Sequence, residues 1–318
     1  MTLDKKKLDK ELDEDLGIKT GVESPVREWV TSGNYALDWA ISGKLLGGGF
    51  PVGRVVEVFG DPSTGKSVLL MNAMKATQDM VGEAFYDDPE QGYDEFFAKN
   101  ALGVDVKNIH MTDSQTVEEH FEKVEKAVKK VRAYDDNVLV TFALDSLAML
   151  STRHEMDTGF EKVDMFKAKL IRQGMRKLGG WFNKQRVLYL ISNHVIDNIG
   201  VIYGPKTTTP GGGGIKFQAS VRVELNLGKR IIDERNKNKV SGVHVRAEVV
   251  KNKVSPPFKK CEFDIYFERG VDKWSGFFEV LVGEGIFIEA GGWYVYKEKK
   301  YRRQELEEKM EEIVKEIV

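Results

Sequence analysis

What this chain lacks narrows its class before any motif is read. It has a single cysteine, Cys261, so no disulfide can form within it, and its charged opening, MTLDKKKLDKELDEDL, does not suit a secretory signal. A cytoplasmic enzyme is the expectation. No apolar run approaches the ~20 residues a bilayer span requires, so no membrane role is expected. Charge of neither sign dominates: 48 Lys and Arg stand against 50 Asp and Glu, a net of −2. Any nucleic-acid site must therefore be a local basic surface. There are no internal repeats, and 318 residues suffice for one large α/β domain or two ordinary ones.

What is present is more specific. Gly60-Asp61-Pro62-Ser63-Thr64-Gly65-Lys66-Ser67 fits the phosphate-loop pattern G-x-x-x-x-G-K-[ST]. Arg54–Phe59 before it reads as a β-branched strand and Val68–Met80 after it as a helix, the order the loop needs. Backbone N–H groups of residues 61–65 would wrap phosphates, Lys66 would reach the β and γ phosphates, and Ser67 would hold Mg²⁺. ATP and Mg²⁺ are the expected cofactors. A second half of such a site follows the apolar run Val138–Leu144, where Asp145 stands at a strand end suited to a metal's water shell. The run Ala84–Asp87 leads into Asp88-Pro89-Glu90, and Glu90 is the candidate for orienting water, with Asp88 as competitor.

Three zones emerge along the chain. Residues 1–29 are polar, with Leu3, Leu8, Leu12 and Leu16 spaced as a thin helical stripe that would dock on another surface. Residues 30–300 alternate strands and helices, and predict an α/β core with a central, mostly parallel sheet flanked by helices. The runs Val221–Leu225, Val243–Val250 and Glu262–Phe267 are expected as antiparallel additions at one side. Residues 301–318 read as a charged amphipathic helix, expected to be a solvated surface element. Between Ser192 and Phe217 lies a Gly-, Thr- and Pro-rich loop with four glycines, Gly211–Gly214, flanked by Lys206 and Lys216, a composition suited to close approach of an anion.

Several segments in order resemble the RecA recombinases, bacterial RecA and the phage-encoded UvsX, over about Val30–Tyr296. They are the stretch from Thr31 through Ser67, GMRKLGG (Gly174–Gly180), the block Ile199–Arg222, and VVKNKVSPPF (Val249–Phe258). The resemblance implies a RecA-type P-loop ATPase core, polymerisation into a helical filament on single-stranded DNA, and pairing with homologous double-stranded DNA. It assigns phosphate and Mg²⁺ to Lys66 and Ser67, metal support to Asp145, water activation to Glu90, adenine contact to Phe97, and a neighbour's γ-phosphate to Lys251 and Lys253. For the last pair, a solvated edge strand is the competing reading.

DNA contacts implied in the same way fall on Lys169, Arg172 and Arg176, which share one helical face; on Met165 and Ile199, which would wedge between bases; and on the backbone of Gly211 and Gly212. Phe217 matches a residue at the protomer boundary, although taken alone it reads as core. His194 stands where RecA has a γ-phosphate-sensing glutamine. Arg246 keeps one residue of a second DNA site, while Glu248 replaces its lysine partner. The globular C-terminal domain of bacterial RecA is expected to be absent. A ring motor of the DnaB or KaiC type, or a mediator that does not hydrolyse ATP, are the alternatives.

Overall fold

The computed structural model describes residues 4–16, 26–158, 166–197, 207–210 and 213–317. Its centre is a nine-stranded sheet: β1 (Val55–Gly60), β2 (Glu83–Asp87), β3 (Ile109–Thr112), β4 (Val140–Leu144), β5 (Val187–Asn193), β6 (Val221–Ile232), β7 (Val240–Asn252), β8 (Lys260–Tyr266) and β9 (Gly270–Val271). The spatial order is 9-8-7-6-1-5-4-2-3. From β6 to β3 every neighbouring pair is parallel, and β7, β8 and β9 continue antiparallel at one side.

The largely parallel sheet matches the sequence expectation, with one correction. Val221–Leu225 runs parallel to β1 rather than antiparallel, because the chain crosses over before entering β6. Apolar alternation cannot tell the two directions apart. Strand β3, too short and polar to stand out, lies at the far edge.

Strands β1, β4 and β5 are buried along their whole length, as strands covered on both faces must be. One face packs against α1 (Lys66–Asp79) through Leu69, Leu70, Ala73 and Met74, and against the helix Tyr35–Ser42. The other packs against α2 (Val117–Arg132) and α3 (Phe166–Lys184). In α2 the apolar or inward residues Val117, His120, Val124 and Val128 recur at helical spacing, and Thr116 caps the first turn by accepting from Glu119 N at 3.2 Å.

The N-terminal helix forms over Lys5–Leu16, with Leu8 exposed. At the other end, Ile288–Ala290, Trp293–Tyr296 and Lys299–Tyr301 pair as a small antiparallel sheet, followed by helices Arg303–Glu308 and Met310–Ile317. The expected solvated helix is therefore two helices. Their Leu306, Met310, Ile313 and Val314 are buried and join the main core, a use of the apolar stripe that its charged neighbours conceal.

Candidate active site and DNA-facing surface

The C-terminal ends of β1, β5, β4 and β2 lie side by side, and each carries a predicted residue: the phosphate loop, His194, Asp145 and the Asp88–Glu90 turn. In a parallel sheet these ends open onto one crevice. The loop leaves β1 at Gly60, where a Cβ would lie 2.1 Å from the Leu225 carbonyl oxygen, so only glycine permits β6 to pass so close. Gly65 enters α1 in the left-handed region at φ +89°, where a Cβ would meet Ile265 Cδ1 at 2.2 Å. Thr64 Oγ1 donates to Asp61 O at 2.9 Å, tying the loop to itself. Asp61, Pro62, Ser63 and Ser67 are exposed.

Lys66 is buried, its ammonium donating to Gly60 O (3.0 Å) and Asp61 O (2.8 Å). Burial pushes its pKa below the ordinary lysine value, against the nearby charges of Asp145, Glu90 and Asp61. A cation held inside a loop of backbone amides, with carboxylates beyond it, fits a bound polyphosphate. Asp145 accepts from Tyr86 OH at 2.6 Å on Oδ2 and from Ser192 Oγ on Oδ1, so two hydroxyls orient the carboxylate.

Glu90 and Asp88, neighbours in one turn, have different surroundings. Asp88 accepts from the backbone of Tyr93 (2.8 Å) and Gly92 (3.3 Å), so its carboxylate builds the turn. Burial raises its pKa above the usual carboxylate value; those backbone bonds oppose the rise, and the charges of Asp145 and Glu90 add to it. Glu90 Oε1 accepts from Ser146 Oγ and pairs with His194 Nε2 at 2.8 Å. Burial alone would raise the Glu90 pKa. The hydrogen bonds from Ser146 and His194, with the charges of His194 and Lys66, outweigh it and hold the carboxyl below its ordinary range.

His194 thus touches Glu90, and its backbone N–H donates to Asn193 Oδ1 at 3.1 Å. Asn193 Nδ2 donates both to Glu57 Oε1 and to Pro210 O, each at 3.0 Å. Arg222 Nε completes the buried cluster with Glu57 Oε2 at 2.5 Å, and its guanidinium lies 4.5 Å from the Phe59 ring centre. The root of the Gly-rich loop is bonded through these side chains to β1, β5 and β6.

Lys169, Arg172 and Arg176 share the exposed face of α3, opposite buried Ile171, Met175 and Leu178. Helix α4 (Gly213–Gln218) packs on that helix closely enough that a Cβ on Gly214 would lie 3.1 Å from Arg172 Cα. Phe217, read alone as core, is 77% exposed near the end of the short helix α4, which corrects that expectation. Lys251 Nζ donates to Lys216 O (2.5 Å) and Phe217 O (2.9 Å), and Lys253 Nζ to Phe217 O (3.3 Å). Both lysines therefore gather at the C-terminal end of α4. Arg246 is exposed on β7 opposite Glu262, and Glu248 pairs with Lys260 at 3.0 Å. Phe97 is half-buried on the helix Glu95–Asn100. Met165, Ile199, Gly211 and Gly212 lie outside the described residues.

Sequence reasoning missed Tyr86, Ser192 and Ser146, which hold the two carboxylates. Only Ser146, adjacent to Asp145, carried a local signal. The partnership of Glu57, Arg222 and Asn193 carried none, since Glu57 is 136 positions from Asn193 and 165 from Arg222.

The RecA N-terminal domain model matches residues 4–272. The chain belongs to the RecA family. It is similar to Protein RecA of Ruminococcus albus, 35% identical over 274 residues, covering 86% of this chain and 65% of that relative. Protein RecA of Thermotoga maritima is 35% identical over 282 residues, covering 88% and 75%, and that of Aquifex aeolicus 33% identical over 280 residues, covering 88% and 77%. RecA-family proteins are DNA-dependent ATPases and recombinases that use ATP with Mg²⁺ and assemble as filaments with single- and double-stranded DNA. Among the described residues of this RecA-family chain, no helix is long and apolar enough to cross a membrane.

Proposed function

We propose that this protein forms helical filaments on single-stranded DNA, hydrolyses ATP within them, and uses them to pair the bound strand with a homologous duplex and exchange strands. The observation that carries this reading is the convergence of the phosphate loop, Asp145, Glu90 and His194 at adjoining strand ends, with His194 at the root of the Gly-rich loop.

In this reading Gly60 to Ser67 cradle the phosphates, Lys66 meets the β and γ phosphates, and Ser67 and Asp145 hold Mg²⁺, which neutralises charge on the phosphates. The Tyr86 and Ser192 hydroxyls keep Asp145 aimed. Glu90, held below the ordinary carboxylate range, is ionised at neutral pH, and a carboxylate of that kind orients the attacking water more than it removes its proton. His194 carries the state of the γ-phosphate to the loop. Lys251 and Lys253 serve the nucleotide of a neighbouring protomer, and Phe97 meets the adenine.

DNA is held by Lys169, Arg172 and Arg176 through its phosphates, by the Gly211 and Gly212 amides, and by Met165 and Ile199 between bases; Arg246 belongs to a second strand site. Residues 1–29 dock on the neighbouring protomer, 30–300 form the ATPase core, and 301–318 close its surface. A cytoplasmic setting belongs to the same proposal, supported by the lone, buried Cys261.

The test combines the protein with ATP, Mg²⁺ and single-stranded DNA, then adds a homologous duplex. DNA-stimulated phosphate release, open helical filaments by electron microscopy and joint-molecule formation are expected. Closed rings would favour a motor of the same core, and filaments without phosphate release a mediator.

A further inference from the structure

Behind the catalytic edge lies a second polar cluster that no step above uses. Asp87, the last residue of β2, is fully buried, as are His120 of α2 and Tyr189 of β5. Asp87 Oδ2 is 2.6 Å from His120 Nδ1, and His120 Nε2 is 2.5 Å from Tyr189 OH. Asp87 Oδ1 also accepts from the backbone N–H of Ser114 at 2.7 Å. The surroundings are apolar: the His120 ring packs edge-on to Phe142, 5.7 Å between ring centres. A carboxylate in such a place would be costly without donors. Burial raises the Asp87 pKa, but the His120 bond and charge together with Ser114 more than offset this and hold it below the ordinary carboxylate range. His120 spans the cluster, its Nδ1 meeting Asp87 and its Nε2 the Tyr189 hydroxyl.

Helix α2, strand β5 and the backbone of Ser114 are thereby tied to the end of β2, and the catalytic carboxylates hang from that same point. The Asp87 carbonyl oxygen accepts from the Asp145 backbone N–H at 2.9 Å. Asp88 N, the next amide, donates to Thr112 O at 2.8 Å, and the Asp88 side chain then holds the Gly92 and Tyr93 amides of the turn that carries Glu90. A shift of Asp87 therefore moves Asp145 directly and Glu90 through its turn. Hydrolysis is sensitive to such shifts, because its rate depends on alignment more steeply than binding does.

We propose that His120 is a positioning residue for ATP hydrolysis: by holding the Asp87 carboxylate it fixes the strand end from which Asp145 and the Glu90 turn are suspended. This rests on the roles given to Glu90 and Asp145 above. It singles out the Nδ1 side of the ring, since that nitrogen meets Asp87 while Nε2 meets only Tyr189.

The test exploits side-chain length. An asparagine amide reaches about where Nδ1 sits and can donate to Asp87; a glutamine amide reaches about where Nε2 sits and cannot make the same bond. DNA-stimulated kcat, ATP affinity by a fluorescent analogue and thermal melting are measured for His120→Leu, His120→Asn and His120→Gln. His120→Leu should lower kcat about tenfold or more while ATP affinity stays within about threefold, and His120→Asn should recover most of the loss where His120→Gln does not. A kcat within twofold of the parent in His120→Leu overturns the proposal. If that variant does not fold, the pair decides: equal kcat in His120→Asn and His120→Gln, or losses that only track melting temperature, overturns it as well. Glu90→Gln run alongside separates the two readings, since a normal rate there removes the role of Glu90 whatever His120 does, and a normal rate in His120→Leu removes the positioning role even where Glu90→Gln is inactive.

Discussion

The Lys251 ammonium lies 2.9 Å from the backbone carbonyl of Phe217, so a lysine proposed to serve a neighbour's nucleotide also caps the helix whose last turn carries the exposed aromatic. Cations at a helix C-terminus satisfy carbonyls that the helix leaves without partners.

This position makes Lys251 sensitive to pH. Burial, then the charges of Lys253 and Arg222, lower its pKa to about 8. Between that value and the ordinary lysine pKa the folded chain binds fewer protons here than the unfolded chain. This group's contribution to stability therefore rises with pH across that window, and below about pH 8 its charging penalty is fully present. In the folded protein its charge is lost around pH 8. DNA-stimulated hydrolysis should decline from pH 7.5 to 9, and Lys251→Arg, which stays charged, should flatten the decline. Superimposable profiles for the two proteins would show that Lys251 is a cap alone.

For His194 the expected result is a change in coupling. His194→Ala removes one of the two donors to Glu90 Oε1, and Ser146 remains. Basal hydrolysis should fall by less than about tenfold, whereas stimulation by single-stranded DNA should be largely lost; His194→Gln, which can still donate, should retain it. If His194→Ala responds to DNA like the parent, the ring is only packing.

On the DNA face, Arg176→Ala should weaken single-strand binding about equally for all sequences. The log–log salt slope should drop by roughly 0.7 for each phosphate that the variant no longer neutralises. An unchanged slope in a salt titration would remove Arg176 from the interface.

The C-terminal helices yield a stability prediction. Ile313 is 4% exposed within the main core, so Ile313→Ala should cost ~2–4 kcal/mol in denaturant unfolding, through reduced apolar burial and the cavity left behind. A change below about 0.5 kcal/mol would restore the solvated-helix reading.

The residues themselves determined the phosphate loop, since G-x-x-x-x-G-K-[ST] between a β-branched strand and a helix encodes its own backbone geometry. They also determined the parallel sheet, because β1, β4 and β5 are apolar on both faces, and the basic face of α3, because charges at three- and four-residue steps must align on a helix. Family membership was legible in the ordered blocks from Thr31 to Phe258.

Tertiary structure alone decided the rest, wherever an interaction joins residues distant in sequence or two readings share one local pattern. Asp88 and Glu90 are both acidic turn residues. Only the fold shows that Asp88 is taken by the amides of Gly92 and Tyr93, while Glu90 faces Ser146 and His194. The amphipathic stripe from Leu306 to Val314 could have met water or core, and burial against the main core chose between them. The Asp87–His120–Tyr189 cluster draws its members from three elements that nothing local connects, so it exists only once β2, α2 and β5 have packed.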